Sequence, residues 1–570
     1  MSYLVLLIGY EAHNIVMQPM GLPNQNILCR TCGSSLTHHV SIPSSPAPHL
    51  HRTLQAPDEF ELSSIRETLS RARTDLSQLD DEIVQMQAVL DELRLKRKEL
   101  HKFTSEHEGF LASIRRLPSE LLTEIFALCM PEWRTPSFST QQAPLLFGQV
   151  CVGWRQAAFS AQNLWSSITV VPTRYPNDFL AMAWLSRATS APLSIRLDAQ
   201  YLQNSSAKRM WPAISQLIQY CDRWTHVEIG LPAPMLRRLY AVRHRLPWLE
   251  SLQIDKQNMR HSWPLDLDIF EYAPRLCILR LDSDISHNML KIPWNQLTEL
   301  DAHYANVTEC LETLQLVPNL VKCRMHCNLW ADANDSFLSH PMPILRFQNL
   351  LSLYIDMAGN PGDLVNHLEF TVLRDIHIIY DYNTTRSLDD EAWLSQHPFV
   401  TFLSRSSHTL RSLVITSVVA HYLPPPILAQ CLRATPSLVE LKVKGARGWF
   451  TADVLGQLTR RATSTDTGTY LVPELEVLEI GESSIDPHVL ADMIESRWRV
   501  IACDSTVARL QNVRFELCPV DEEGDNIIRK PTKFDAETLT RLRNYHQEGM
   551  DISIIDVEHG YKDLLKIHPT

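Results

Sequence analysis

Two small groups of residues in this 570-residue chain have the types and spacing that chemistry would use. Cys29-Arg30-Thr31-Cys32-Gly33 is a Cys-x-x-Cys-Gly turn, whose backbone amides can bond two thiolates as in half of a zinc knuckle. A closed zinc site needs four ligands. No second Cys-x-x-Cys exists, so His38, His39, His49 or His51 would have to finish the set. The expectation is two free cysteines in a tail, and no metal. Cys323 and Cys327 bracket His326 at the end of a short apolar repeat. Core packing of Cys323 is expected there, ahead of a metal site or a nucleophile. The chain has no Gly-x-Gly-x-x-Gly, Walker-type loop, Gly-x-Ser-x-Gly elbow or His-Glu-x-x-His. Its 17 glycines leave little material for phosphate-cradling loops. The sequence therefore predicts no catalytic residue, no cofactor and no enzyme activity.

The residues that ask most plainly for a partner are apolar. Leu117-Pro118-Ser119-Glu120-Leu121-Leu122-Thr123-Glu124-Ile125-Phe126 opens as a helix. Pro118 fits a first turn, where its missing N–H costs nothing, and Glu120 complements the positive end of the helix dipole. Leu117, Leu121, Leu122, Ile125, Phe126 and Cys129 recur at helical spacing and make one wide apolar face. Val150, Trp154, Ala157 and Ala158 make a second, with Cys151 just before it. Gly153 lies inside that later helix, where it costs roughly 1 kcal/mol against Ala. Short helices of this size cannot bury such faces among themselves.

The stretch Ile114 to Ile168 resembles an F-box. The wording Gln149-Val150-Cys151, Trp154-Arg155 and Leu164-Trp165-Ser166-Ser167-Ile168 resembles the F-box-like proteins of mushroom-forming fungi, the basidiomycete type. The resemblance covers about a tenth of the chain. It implies that Leu117, Pro118, Leu121, Leu122, Ile125, Phe126, Val150, Cys151 and Trp154 dock on a Skp-type adaptor. It also implies that the chain joins the cullin core of an SCF-type ubiquitin ligase.

Flanking elements must position these faces. Residues 1 to 57 have no sustained period, and Thr37 to Pro57 is rich in Ser, Pro and His, reading as linker. No proline lies between Pro57 and Pro118. There Leu62, Ile65, Leu69, Ala72, Leu76, Leu79, Ile83, Met86, Leu90 and Leu93 alternate spacings of three and four. Arg97 interrupts the seam and Leu100 returns in register. This heptad pattern predicts a long coiled-coil helix. It either self-associates, in parallel, as a homodimer or folds back on the later domains.

From about Pro192 a degenerate unit recurs, Leu-x-x-Leu-x-Leu in form. Copies begin at Leu249, Leu276, Leu320, Leu350, Leu373, Leu410, Leu438, Leu475 and Leu510, with a partial copy at Leu297. Each ends in period-two alternation, a strand with one buried face. Amphipathic stretches follow several of them: Val307 to Leu316, Pro425 to Arg433 and Pro487 to Glu495. A strand and a helix repeated every 20 to 40 residues or so resembles a leucine-rich-repeat solenoid. The usual turn asparagine is clear only at Asn328. Asp535 to His546 and Ile552 to Asp556 then read as a terminal helix and strand that cap the last unit.

The expected fold is α+β and multidomain: a tail over 1–57, a coiled-coil helix over 58–112, a small all-α F-box-like domain over 113–170, and an irregular repeat solenoid over 171–570. In each repeat strand the residues flanking the last apolar position point away from the core. Arg280, Arg324, Tyr354, His377, Lys442 and Glu479 stand out among them as candidates for holding a target protein. They mix both signs of charge, which suits a folded protein or peptide.

The net charge is −12. That offers no basic footprint for nucleic acid and no attraction to anionic membrane. The apolar run Leu4 to Ile8 is too short for a span and lacks a basic lead. Twelve cysteines spread over this length point to a reducing compartment, cytoplasm or nucleus. The functional expectation is a non-catalytic substrate-recognition subunit of a ubiquitin ligase that holds a protein target of unknown identity. The alternative is a coiled-coil and repeat scaffold outside any ligase.

Overall fold

In a computed structural model of the chain, the described residues are 41–52, 54–131, 141–172, 178–199, 208–255, 266–282, 285–304, 306–328, 343–358, 362–381, 398–406, 408–417, 426–445, 450–460, 471–483, 485–499, 508–517, 534–556 and 562–566. The Cys29/Cys32 pair lies outside them. The chain divides into two compact units, Met1–Leu117 and Pro118–Thr570.

The first unit is built on α1 (Glu59–Leu111), 53 residues long. Asp58 starts it with a capping box. Its side chain accepts from the Glu61 N–H at 2.7 Å, and Glu61 accepts from the Asp58 N–H at 3.0 Å. Two orphan donors of the first turn are thereby satisfied. With no proline or glycine from Asp58 to Glu108, nothing in the backbone interrupts the helix until its last turn.

The second unit begins with α2 (Ser119–Leu128), α3 (Phe147–Val150) and α4 (Val152–Ser160). Strands follow in chain order: β1 (Ser167–Val170), β2 (Leu193–Asp198), β3 (Trp224–Gly230), β4 (Ser251–Ile254), β5 (Ile278–Leu281) and β6 (Glu299–Tyr304). Then come β7 (Lys322–Asn328), β8 (Leu345–Phe347), β9 (Ser352–Ala358), β10 (Leu368–Phe370), β11 (Asp375–Asp381) and β12 (Ser412–Ser417). The last are β13 (Glu440–Lys444), β14 (Val477–Ser483), β15 (Asn512–Leu517), β16 (Asp551–Asp556) and β17 (Lys562–Asp563). Fifteen of these form one sheet in chain order, with β8 and β10 set aside as a separate parallel pair. Every pairing in the large sheet is parallel except β16 with β17, which closes one edge antiparallel. The chain is thus mixed α/β, with a long N-terminal helix and a parallel sheet in its C-terminal region.

Parallel neighbours need a crossover between them. Here several crossovers carry a helix, among them Val307–Gln315, Pro426–Ala434 and Pro487–Trp498. One face of the sheet is a continuous apolar row. Ile195, Val227, Leu252, Leu279, Leu300, Cys323, Leu353, Ile376, Leu413, Leu441, Leu478 and Val513 stand in register and are buried. Burying one such row leaves its opposite row on the other face, because strand side chains alternate.

Between successive strand-and-crossover segments of the second unit the recurring bond is a side-chain donor reaching back to a carbonyl 20 to 39 residues earlier. Arg223 donates to Ala191 and Ala188. Gln296 donates to Ala273 and Leu276. Arg405 reaches the Leu368 carbonyl at 2.7 Å. Arg497 reaches the Leu458, Val472 and Leu471 carbonyls at 2.7, 3.0 and 2.6 Å. Most of these are turn or helix-end carbonyls; Ala188, Ala273 and Val472 already accept a backbone N–H, and the side chain adds a second donor.

The division between the two compact units falls at 117/118, and within the second unit the helices and the sheet share a core. Trp165 and Ile168 are fully buried, Trp165 packs edge-on to Trp184 at 4.8 Å, and its indole N–H donates to the Ala158 carbonyl at 2.7 Å. The sheet also starts earlier than the Leu249 copy, at β1, β2 and β3.

Candidate functional site

Apart from Leu117, the last residue of the first unit, the predicted site residues lie on two surfaces of the second unit. The first is on α2. Its apolar positions split into two stripes. Leu122 and Phe126 face inward; Phe126 stacks on Phe147 at 4.1 Å and meets Trp154 edge-on at 4.9 Å. Leu121, Ile125 and Leu128, at spacings of four and three, stay in solvent at 53%, 38% and 87% exposure. Leu117, Cys151 and Trp154 are half-buried, and Pro118 and Val150 are exposed.

The Trp154-Arg155 pair has an internal role. Trp154 covers the Phe126 ring, and Arg155 Nε donates to the Gly148 carbonyl at 2.7 Å, tying α4 to α3. Cys151 caps α4, accepting from the Trp154 N–H at 3.5 Å. Of the nine residues expected at an adaptor contact, Leu122 and Phe126 therefore hold the helices together from inside. Leu121, Ile125, Val150 and Pro118 present outward. Leu128 and Val152 are exposed as well and were not among the expected nine.

The second surface is the polar face of the sheet. The register aligns one residue per strand into a row: Arg196, Glu228, Gln253, Arg280, Asp301, Arg324, Tyr354, His377, Val414, Lys442, Glu479 and Arg514. All six residues predicted to hold a target lie in it. Charge alternates along much of its length. Arg324 pairs with Asp301 at 3.4 Å, and Arg514 with Glu479 at 3.5 Å. A depression of about 260 Å³ opens over β5 to β9, lined by Arg280, Asp301, Lys322, Arg324 and Tyr354. Towards β2 and β3 the row goes under cover: buried Arg196 pairs with buried Glu228 at 3.0 Å and bonds half-buried Asp198 at 2.8 Å.

The densest part is a ladder across β6, β7, β9 and β11. His303 stacks on His326 with ring centroids 4.3 Å apart. His326 lies near Tyr354, and Tyr354 meets His377 edge-on at 4.8 Å. The Arg324 guanidinium sits over the Tyr354 ring at 4.7 Å. Both nitrogens of His326 face carboxylates: Nδ1 to Asp356 at 3.0 Å and Nε2 to Asp301 at 3.5 Å. Burial alone would hold the His326 imidazolium down, but the bonds to Asp301 and Asp356 outweigh it and raise its pKa. Burial, then the charge of His326, lowers His303. Burial and Arg324 lower His377. Burial would raise the Asp301 carboxyl, yet the His326 bond and the Arg324 charge carry it below its usual value. His303 was not singled out from the sequence. It stands two residues beyond Asp301 in the incomplete Leu297 copy, where Ala302 replaces the usual large apolar residue.

Cys323 faces the opposite way, into the core, and burial pushes its thiol well up. A thiol so held is a poor nucleophile. Among the described residues no helix is long and apolar enough to cross a membrane.

No family model matches the chain. No curated protein matches it at a significant level.

Proposed function

We propose that this protein is a substrate-recognition subunit of an SCF-type ubiquitin ligase, working in the cytoplasm or nucleus. On this reading the α2–α4 helices are an F-box that binds a Skp-type adaptor. The in-order parallel strands and their Leu-x-x-Leu-x-Leu wording support reading the rest as an irregular leucine-rich-repeat-like solenoid. Its polar face would hold a protein target through the row from Arg280 to Glu479. Catalysis then belongs to other subunits, and this chain supplies proximity.

One observation carries the reading. In a unit whose other large apolar side chains are mostly buried, α2 keeps Leu121, Ile125 and Leu128 uncovered along one face. Burying such a stripe is worth about 25 cal/mol per Å² of apolar surface removed from water. The fold itself does not collect that stabilisation.

Co-purification of the full chain with a Skp-type adaptor tests it. Deleting residues 114–168 would cut away half of β1 and the buried Trp165, so point variants are the better probe. Leu121→Glu and Ile125→Ala change exposed side chains and should abolish or weaken co-elution while the fold is kept. A chain that never co-elutes with the adaptor, or one whose binding ignores both substitutions, refutes the ligase role and leaves the scaffold reading.

A further inference from the structure

The apolar seam of α1 is unusually bare. Leu69, Leu76, Ile83, Met86, Leu90, Leu93 and Leu100 are each about two-fifths to two-thirds exposed. A seam that long needs another helix. The backbone of α1 is continuous from Glu59 to Leu111, so it cannot fold back on itself, and a second copy of the same helix offers a partner seam of matching length and spacing. We propose that α1 pairs with a second copy of this chain as an antiparallel coiled coil centred near residue 88.

The charges choose the direction. Counting heptads with Leu62, Leu69, Leu76, Ile83 and Leu90 at position a, the flanking e and g positions include Arg66, Asp75, Asp80, Arg94 and Glu108. In a parallel pair, Asp75 faces Asp80 on both sides of the seam, and Arg97 faces Arg97 across its core; only Glu61 with Arg66 attracts. In an antiparallel pair each a layer meets a d layer. The register that sets Ile83 against Leu93, Leu90 against Met86 and Leu76 against Leu100 also sets Asp80 against Arg94 and Arg66 against Glu108. Each contact occurs twice by symmetry. Arg97 then meets Leu79, between Asp75 and Asp80, in place of another arginine.

Neighbouring registers do worse. Sliding one heptad one way brings Arg73 against Arg94. Sliding the other way sets Asp80 against His101 and Arg94 against Gln87. The favoured register overlaps Ile65 to Leu111, about 70 Å of helix. In the single chain Arg94 bonds only across the helix surface to Asp91, at 3.2 Å with both side chains largely exposed. Such a pair contributes little and leaves Arg94 able to turn towards the second copy.

The test is sedimentation of the full chain at micromolar concentration, with helix content checked by circular dichroism. The wild type should be a dimer. Asp80→Arg should raise the dimer dissociation constant about tenfold, since two attractive contacts become repulsive. Adding Arg94→Asp to that variant should restore the dimer. In a parallel pair Asp80→Arg would instead tighten association by relieving the clash with Asp75. A photo-crosslinking residue in place of Gln87, which faces itself only in the antiparallel register, should yield a Gln87-position crosslink between copies. A monomeric wild type, a tighter or unchanged Asp80→Arg variant, or a crosslink from that site to the Glu82 region overturns the proposal.

Discussion

Replacing Arg497 with methionine should destabilise the second unit by about 1.5–6 kcal/mol. Arg497 sits on the helix Pro487–Trp498 at 2% exposure, and its guanidinium donates to the carbonyls of Leu458, Leu471 and Val472. Burial pulls its pKa down to about 10, with no carboxylate offsetting it. At 1.36 kcal/mol per pKa unit, holding this charge inside costs about 3 kcal/mol. Each bond from a charged donor contributes about 1.5–3 kcal/mol, so three contribute about 4.5–9 kcal/mol. The bonds win, and the difference is what methionine forfeits while filling similar volume. Urea unfolding of the full chain, followed by tryptophan fluorescence, measures it. Arg497→Lys should fall between wild type and Met, because an ammonium does not match the fork that spans three carbonyls. A loss below about 1 kcal/mol for methionine would show that the reach-back bonds do not hold the repeats together, against the net values expected of such bonds.

Three further outcomes follow from the geometry. Gly153→Ala should raise stability by up to about 1 kcal/mol in thermal unfolding, because a Cβ there meets only the Cys151 sulfur, at 4.0 Å. His326→Gln should cost most at and below about pH 6.5 and progressively less as pH rises above it. A raised histidine pKa stabilises the fold below the unfolded value of about 6.5, and that contribution is lost as pH rises through the folded value. Histidine NMR should accordingly show His326 titrating above His303 and His377; the reverse order would contradict the ladder's electrostatics. Arg196→Met should destabilise by about 3–5 kcal/mol, since it leaves the buried Glu228 without its arginine; denaturant midpoints that move by a tenth of that would refute the buried network.

Much of the architecture was legible in the sequence. The heptad seam and the proline-free stretch between Pro57 and Pro118 give α1 nearly to the residue, and period-two alternation places the row from Arg280 to Glu479 on one face. Alternation is a rigid rule, so once one strand's buried residues are known the opposite row follows. The first strands hide because Trp224 and Pro192 stand where later copies carry leucine. Helical periodicity says that α2 has a wide apolar face but not which half the fold covers. Leu121 and Leu122 differ by only about 100° around the helix, and tertiary packing with Phe147 and Trp154 decides between them. The reach-back arginines leave no local mark, because their acceptors lie a whole repeat away.

The most direct test of the proposed role is the affinity of the purified full chain for a Skp-type adaptor, by calorimetry, beside Leu121→Glu with its unfolding midpoint checked. Submicromolar binding by the wild type, weakened at least about tenfold in a variant that unfolds at the same midpoint, is the predicted result. No measurable binding by a folded wild type, or equal binding by the variant, would contradict it.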